Sequence, residues 1–288
     1  MDYCEIRLTI PPDALEAVSN LLVEADTGGV VIDDEHAAVL RAYLPRDERL
    51  TTRLQSLRQS LSDLVAFFPG LAELQQEERT VHEEDWANAW REHFHPTRIG
   101  ERLVVAPTWE DFLPTPNDVV VRLDPGMAFG TGTHPSTILC LRALEELVQP
   151  GMRVLDIGTG SGILAIAAAL LGAADVVALD NDPLAVRVAR QNVEDNRARI
   201  QVHYAELKGV LQSGFVPADV ATANLTASTL VPLAADIAEA LRPGGIVVAS
   251  GIVGTGAHEV EEAFAACGLH IIRSERLEDW IALWVQRV

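Results

Sequence analysis

Nine residues constrain this chain more than any others: Val154-Leu155-Asp156-Ile157-Gly158-Thr159-Gly160-Ser161-Gly162, followed at once by the apolar run Ile163 to Leu171. A short β-branched and apolar segment ends in an acid, three glycines alternate with small hydroxyl residues, and an alanine-rich run follows. That order reads as strand, tight turn, helix. Glycines adopt positive φ and let the backbone approach a ligand without a Cβ in the way, and the helix that follows presents free N–H groups carrying partial positive charge. The turn is therefore where a ligand belongs.

The residues separate two ligand classes. A dinucleotide fingerprint runs G-x-G-x-x-G, but here the third glycine falls one place early, at Gly162, and Ile163 holds its slot. Asp156 puts a carboxylate at the end of the strand, which repels a pyrophosphate and suits a cation. The D-x-G-x-G-x-G pattern resembles the first motif of the class I methyltransferases, whose donor, S-adenosylmethionine, carries an ammonium and a sulfonium. A second strand-like run, Asp175 to Leu179, ends in Asp180. That is about 20 residues past the glycines, where Rossmann-like folds place the acid that holds ribose hydroxyls. Asn181-Asp182-Pro183 then starts a helix, with Asp182 as N-cap and Pro183 at its first position. Asp156, Gly158, Gly160, Gly162 and Asp180 are thus candidate cofactor contacts. The bland alternative for either acid alone is a turn or cap; the pair at this spacing argues against it.

Composition narrows the class. At 288 residues the chain has length for about two domains. No apolar run reaches the roughly 18 residues of a membrane span, and Met1-Asp2-Tyr3-Cys4-Glu5 lacks the basic-then-apolar order of a secretion signal, so the expected location is the cytoplasm. Cys4, Cys140 and Cys267 stand far apart, which fits small buried side chains and neither disulfides nor a zinc site, and no metal is expected. A net charge of -20 opposes direct nucleic-acid binding and favours a basic protein partner.

In chain order, Tyr3 to Ile10 reads as a strand. A helix bearing Leu15, Val18, Leu21 and Leu22 follows, then a hairpin from Val30 to Leu44 with an acidic turn, a helix with Leu50, Leu54, Leu57, Leu61 and Leu64 on one face, and a strand within Glu73 to Val81. This is the order of a small α+β ferredoxin-like domain, residues 1–82. Residues 83–98 read as a linker helix: Thr80 and Glu83 fit a capping box, Trp86, Trp90 and Phe94 share a face, and Pro96 closes it. The two tryptophans read as packing rather than as a substrate groove. His93 and His95, two apart, make a poor metal pair. Residues 99–288 then read as the catalytic domain. Its strand-like runs at Leu103 to Ala106 and Asp118 to Leu123 feed the loop Asp124 to Thr137, where Phe129, Gly130 and Thr131 are further candidate cofactor contacts and Pro135 starts a helix. Asn224 falls at the carboxyl end of the fourth strand of the wound sheet. Pro243-Gly244-Gly245 reads as a turn before the strand Ile246 to Ser250, and a closing hairpin, Leu269 to Leu277 with Ile281 to Arg287, brings an antiparallel strand into the sheet.

The phrase Asp-Pro-Gly-Met-Ala-Phe-Gly-Thr-Gly-Thr-His-Pro-Ser-Thr at 124–137, the glycine turn, Asp180, Ala223-Asn224-Leu225 and the Trp86/Trp90 segment, in this order behind a small domain, closely resemble the bacterial ribosomal protein L11 methyltransferases. The resemblance spans essentially the whole chain and is closest from Trp86 to Gly251. It implies a Rossmann-like seven-stranded class I methyltransferase domain using S-adenosylmethionine to trimethylate lysine side-chain and N-terminal amines of ribosomal protein L11, free or on the large subunit. It also implies cofactor contacts at Thr137, Gly158, Asp180 and Asn224, and recognition of the ribosomal protein by the N-terminal domain.

Asn224 carries the chemistry. Amide and base methyltransferases resemble one another in an Asn/Asp-Pro-Pro-aromatic step, whereas Asn224-Leu225-Thr226 lacks the prolines and the aromatic, which suits an aliphatic amine. A lysine of pKa about 10.4 costs about 4.6 kcal/mol to neutralise at pH 7, an α-amine only about 1. Asn224 is therefore expected to orient an amine whose pKa the cleft lowers. His134 is the single imidazole of the loop: it is a candidate general base, with a structural hydrogen bond the stronger expectation. The rival readings are a methyltransferase for another protein amine or a small amine, a non-catalytic cofactor-binding assembly factor, and a dehydrogenase.

Overall fold

A computed structural model describes residues 3–24, 30–34, 39–65, 68–81, 95–123 and 132–288. Contacts divide the chain into two units, Met1–His93 and Phe94–Val288. In the first, β1 (Tyr3–Thr9) alternates buried Ile6 and Leu8 with exposed Arg7 and Thr9, the period-2 pattern of a strand with one covered face. It lies between β3 (Val39–Pro45) and β4 (Gln75–Val81), antiparallel to both, and β2 (Val30–Asp34) completes the order β2-β3-β1-β4. Helices α1 (Leu15–Glu24) and α2 (Leu50–Leu64) contribute Val18, Leu22, Leu57 and Leu61 to the same core as Ile6, Leu8 and Leu44. The order β-α-β-β-α-β is the expected ferredoxin-like one.

Most of the expected linker helix, with Trp86, Trp90 and His93, lies outside the described residues. The four of its positions that are described, 95–98, are not helical. Thr97–Arg98 form a short strand, β5, antiparallel to β6 (Leu103–Pro107), because Pro96 forbids helical continuation; β6 in turn runs parallel to β7 (Val119–Leu123).

The second unit is built on a seven-stranded sheet in the order β10-β9-β8-β11-β12-β14-β13. Strands β8 (Arg153–Ile157), β9 (Asp175–Asp180), β10 (Gln201–Tyr204), β11 (Ala218–Asn224) and β12 (Leu241–Val253) pair in parallel. Strand β14 (Trp280–Arg287) is antiparallel to β12 and to β13 (Leu269–Leu277), the anticipated closing hairpin. Side chains alternate between two cores: Val154 packs with α3 (Pro135–Leu147) and α4 (Ile163–Leu170), Leu155 with α7 (Ala227–Ala240) and α8 (Ala257–Ala266). Helix α5 (Pro183–Asp195) joins the first face through Val193.

The strand order reverses between β8 and β11, and a doubly wound sheet opens a crevice at such a point, outside the carboxyl ends of the strands. The glycine turn follows one of these strands and Asn224 ends the other. Two details differ from expectation. Pro243-Gly244-Gly245 lies within β12 as an irregularity, since the register jumps from Ala218↔Leu241 to Val220↔Ile246. Helix α6 (Leu207–Gln212) was not anticipated, being too short to show periodicity.

Candidate functional site

The turn after β8 is held from both sides. Gly158, Gly160 and Gly162 have φ of +71°, +55° and +85°, a region that disfavours residues with a Cβ. The amides of Gly158 and Thr159 both donate to the Leu179 carbonyl on β9 at 2.9 Å, and buried Asn192 on α5 donates to the Ser161 carbonyl at 2.7 Å. Nothing in the local sequence around Asn192 announced this clamp.

The two acids take different positions. Asp156 is fully buried, and its two oxygens accept from the hydroxyls of Thr159 and Thr222, each at 2.6 Å. Burial pushes its pKa up, with these hydrogen bonds opposing. It ties β8, the turn and β11 together from beneath. Asp180 is half-buried at the end of β9, where Oδ2 accepts from the Gly160 amide at 2.9 Å and Oδ1 from the Asp182 amide at 3.0 Å. A carboxylate oxygen accepts more than one bond, so Asp180 keeps acceptor capacity. It lines a cleft of about 360 Å³ with Gly158, Asn181, Ala205, Leu225 and Leu233. Asp182 caps α5 as expected, accepting from the Leu184 amide at 2.8 Å.

Asn224 precedes Leu225 of this cleft wall. Its Nδ2 donates to the Oγ1 of buried Thr137 at 3.2 Å, and its Oδ1 is buried without a hydrogen-bond partner among the described residues. Such a carbonyl costs free energy unless something donates to it. The backbone on either side is fixed: Leu225 donates to the Ser250 carbonyl at 2.9 Å, and Gly251, at φ +80°, lies so close that an added Cβ would stand 2.7 Å from the Leu225 oxygen.

His134 is the N-cap of α3. Its Nδ1 accepts from the Ser136 amide at 3.3 Å and lies 2.7 Å from the Ser136 hydroxyl. Accepting at Nδ1 requires that nitrogen to be unprotonated. Burial lowers the imidazole pKa, with the charge of Glu278 opposing. The ring meets Trp280 edge-on, centroids 4.5 Å apart at 70°. Phe129, Gly130 and Thr131 lie outside the described residues.

Asp180 and Gly158 line one crevice, and Asn224 stands beside it at the end of β11, its amide bonded to Thr137. Asp156 is placed beneath it and Gly162 opens α4. The arrangement fits a ligand with hydroxyls for Asp180 and N–H groups for the unpartnered Asn224 carbonyl. A methyl donor built on a ribose and an amino acid has both.

Comparison with known proteins gives the same direction. A family model described as "Ribosomal protein L11 methyltransferase (PrmA)" matches residues 2–288. A ribosomal protein L11 methyltransferase of Chloroflexus aurantiacus is 44% identical over 322 aligned residues, covering 98% of this chain and 97% of the relative. One from Geobacillus thermodenitrificans is 39% identical, covering 98% of each. Among solved structures, a ribosomal protein L11 methylase from Lactobacillus delbrueckii subsp. bulgaricus is 33% identical with a TM-score of 0.62, covering 67% of this chain and 99% of that one.

Proposed function

The chain belongs to the ribosomal protein L11 methyltransferase family, and on that premise we propose that it transfers methyl groups from S-adenosylmethionine to lysine side-chain and N-terminal amines of L11, up to three per nitrogen. The observation that carries the reading is the Asn224 carbonyl, buried and without a partner among the described residues, at the carboxyl end of β11 next to the cleft that Asp180 lines. A carbonyl so placed accepts an N–H and repels nothing that is cationic.

Bound in this cleft, the donor supplies a methyl group made electrophilic by the positive sulfur that carries it. Asp180, already accepting from the Gly160 and Asp182 amides, would hold the ribose hydroxyls with its remaining acceptor capacity. Gly158 and Gly160 let the backbone lie against the donor, and Asp156 and Gly162 hold the turn in that shape from within. Thr137 fixes the Asn224 amide so that its oxygen, not its nitrogen, is left for N–H donors. The amine must lose a proton before it attacks, at about 4.6 kcal/mol for an unperturbed lysine at pH 7, and a poorly hydrated cleft lowers that cost by disfavouring the charged form. His134, its Nδ1 committed to the α3 cap, shapes the site and is not the base. We assign residues 1–82 to recognition of the ribosomal protein, 83–98 to the linker and 99–288 to transfer, and place the reaction in the cytoplasm.

The test is the intact mass of purified L11 before and after incubation with enzyme and S-adenosylmethionine. Whole-methyl increments are expected on the N-terminal and lysine amines, located by peptide mapping. Unchanged L11, with methyl groups appearing on another protein or a small amine, would replace the proposed acceptor. Donor binding with no transfer to any component of a ribosomal extract would make the chain an assembly factor.

A further inference from the structure

The face of the sheet that carries Leu155 and Leu179 has a cavity toward each end of its strands. The donor cleft, with Leu179, takes the carboxyl end. Toward the amino end a second cavity of about 280 Å³ is lined by Arg153, Asp175 and Gln201, the first residues of β8, β9 and β10, and by Val177, all on that face by the alternation of a strand. Val177 and Leu179 are only about 7 Å apart along β9. Helix α6 stands between the two cavities: Leu207 and Lys208 at its start line the donor cleft, while Val210 and the C-cap Ser213 line the second. Six residues long, with Leu207 its one buried residue and no side-chain bond at its N-cap, α6 has little to hold it beyond what packs on either side.

The chemistry of the second cavity is mixed. Val177, Val210 and Phe215 give it an apolar side. On the polar side, Arg153 Nε donates to Asp175 Oδ2 at 2.9 Å, and Gln201 Nε2 donates to Asp175 Oδ1 at 3.2 Å. The two terminal nitrogens of Arg153 hold no hydrogen bond among the described residues, and the Asp175 oxygens keep acceptor capacity. A guanidinium and a carboxylate side by side match a molecule that bears the opposite pair. A plain anion is opposed by the net charge of -20, whereas a zwitterion is neutral overall and meets no such repulsion.

We propose that this second cavity binds a free α-amino acid with an apolar side chain, and that its occupation tightens donor binding through α6. The amino acid's carboxylate meets the Arg153 guanidinium, its ammonium meets Asp175, and its side chain lies against Val177, Val210 and Phe215. The cavity volume falls below the range of sites for drug-sized molecules, which suits a ligand this small. A ligand in contact with Val210 steadies the end of the helix whose start forms the donor-cleft wall, so less ordering is left for the donor to impose. The coupling is reciprocal, each ligand raising the affinity of the other by the same factor. The amino-acid site stands on this cavity alone; the coupling rests on the donor-cleft reading given above.

The full chain is titrated by calorimetry with L-leucine, L-valine and L-phenylalanine, and with 3-methylbutylamine and 4-methylpentanoate, which keep the leucine side chain but carry one charge each. L-Leucine is expected to bind, and each single-charge analogue to bind about tenfold more weakly or worse. In saturating leucine the Kd for S-adenosylmethionine should fall about fivefold. Arg153→Gln, and Val210→Trp, which fills the apolar side, should each abolish the leucine heat while keeping the donor affinity measured without leucine. Thermal midpoints confirm the fold, and if Val210→Trp lowers its midpoint, Arg153→Gln carries the comparison. No heat with any of the three amino acids overturns the site, as does heat that survives the substitutions. So does an amino acid that weakens donor binding, because it then occupies the donor's own cleft. Leucine binding with an unchanged donor Kd overturns the coupling and keeps the site. A chain that binds no S-adenosylmethionine at all fails the donor reading and the coupling with it, while the leucine heat still decides the cavity.

Discussion

At the scale of single residues, two groups at the same cleft should fail in different ways. Asn224→Ala removes the carbonyl proposed to meet the amine, and kcat should fall about 10²-fold, as when a single orienting hydrogen-bond group is lost. Donor Kd, measured by calorimetry, should move far less, and unchanged turnover would take Asn224 out of the mechanism. Asp180→Ala should instead weaken donor binding by about 1.5–3 kcal/mol, the worth of hydrogen bonds to a charged group. His134 is tested by a pair of substitutions. Asparagine is a good N-cap and alanine is not, so His134→Asn should keep turnover while His134→Ala loses about 1 kcal/mol of stability. An inactive but folded His134→Asn enzyme that still binds donor would restore the imidazole as base. The pH dependence has a definite sign. Burial holds the folded imidazole pKa below its unfolded value of about 6.5, so its contribution is whole above that pH and is lost as pH falls toward the folded pKa. Urea titrations of His134→Asn should lack that acid-side loss.

At the scale of elements, the site depends on backbone held in shapes that side chains would disturb. Gly251 sits in the irregular stretch of β12 opposite β14, at φ +80°, with the Leu225 backbone against it. Gly251→Ala meets a carbonyl oxygen that cannot swing away, and the strained φ adds to the clash. A loss of at least about 2 kcal/mol is expected, with weaker turnover because the Asn224-Leu225 step must shift. A variant of wild-type stability and rate would show that the step is not held from this side. Helix starts were the most legible elements. Asp182-Pro183 has the sequence of a cap and is one, since an N-cap acts on amides two residues away. By contrast Pro243-Gly244-Gly245 has the composition of a turn, yet pairing with β11 on both sides carries the strand through it. Local composition gives no view of a partner strand.

At the scale of the whole molecule, the two-unit organisation makes a prediction of its own. Residues 95–288 expressed alone should bind donor within about threefold of the full chain, because every donor contact proposed among the described residues lies there. Methyl transfer to L11 should drop sharply, with acceptor recognition assigned to residues 1–82. Full transfer by the shortened protein would move recognition into the second unit. Much of this was readable in the sequence: the glycine turn, the acid about 20 residues beyond it, the alternation of strand and helix, and the closing hairpin are all written in short-range patterns of size, polarity and backbone freedom. What the tertiary structure alone decided is which of those groups faces the cleft. Asp156 and Asp180 look alike along the chain, but Thr222, 66 residues away, takes up the first inside the sheet, while the second remains at the crevice. Asn224 owes its orientation to Thr137, 87 residues earlier, and the Trp280 ring meets His134, the cap of a helix far from it in the chain. Periodicity and spacing report the few neighbours a residue has along the chain. Burial and unpaired polar atoms are set by strand order, which brings distant residues together and is fixed only when the sheet closes.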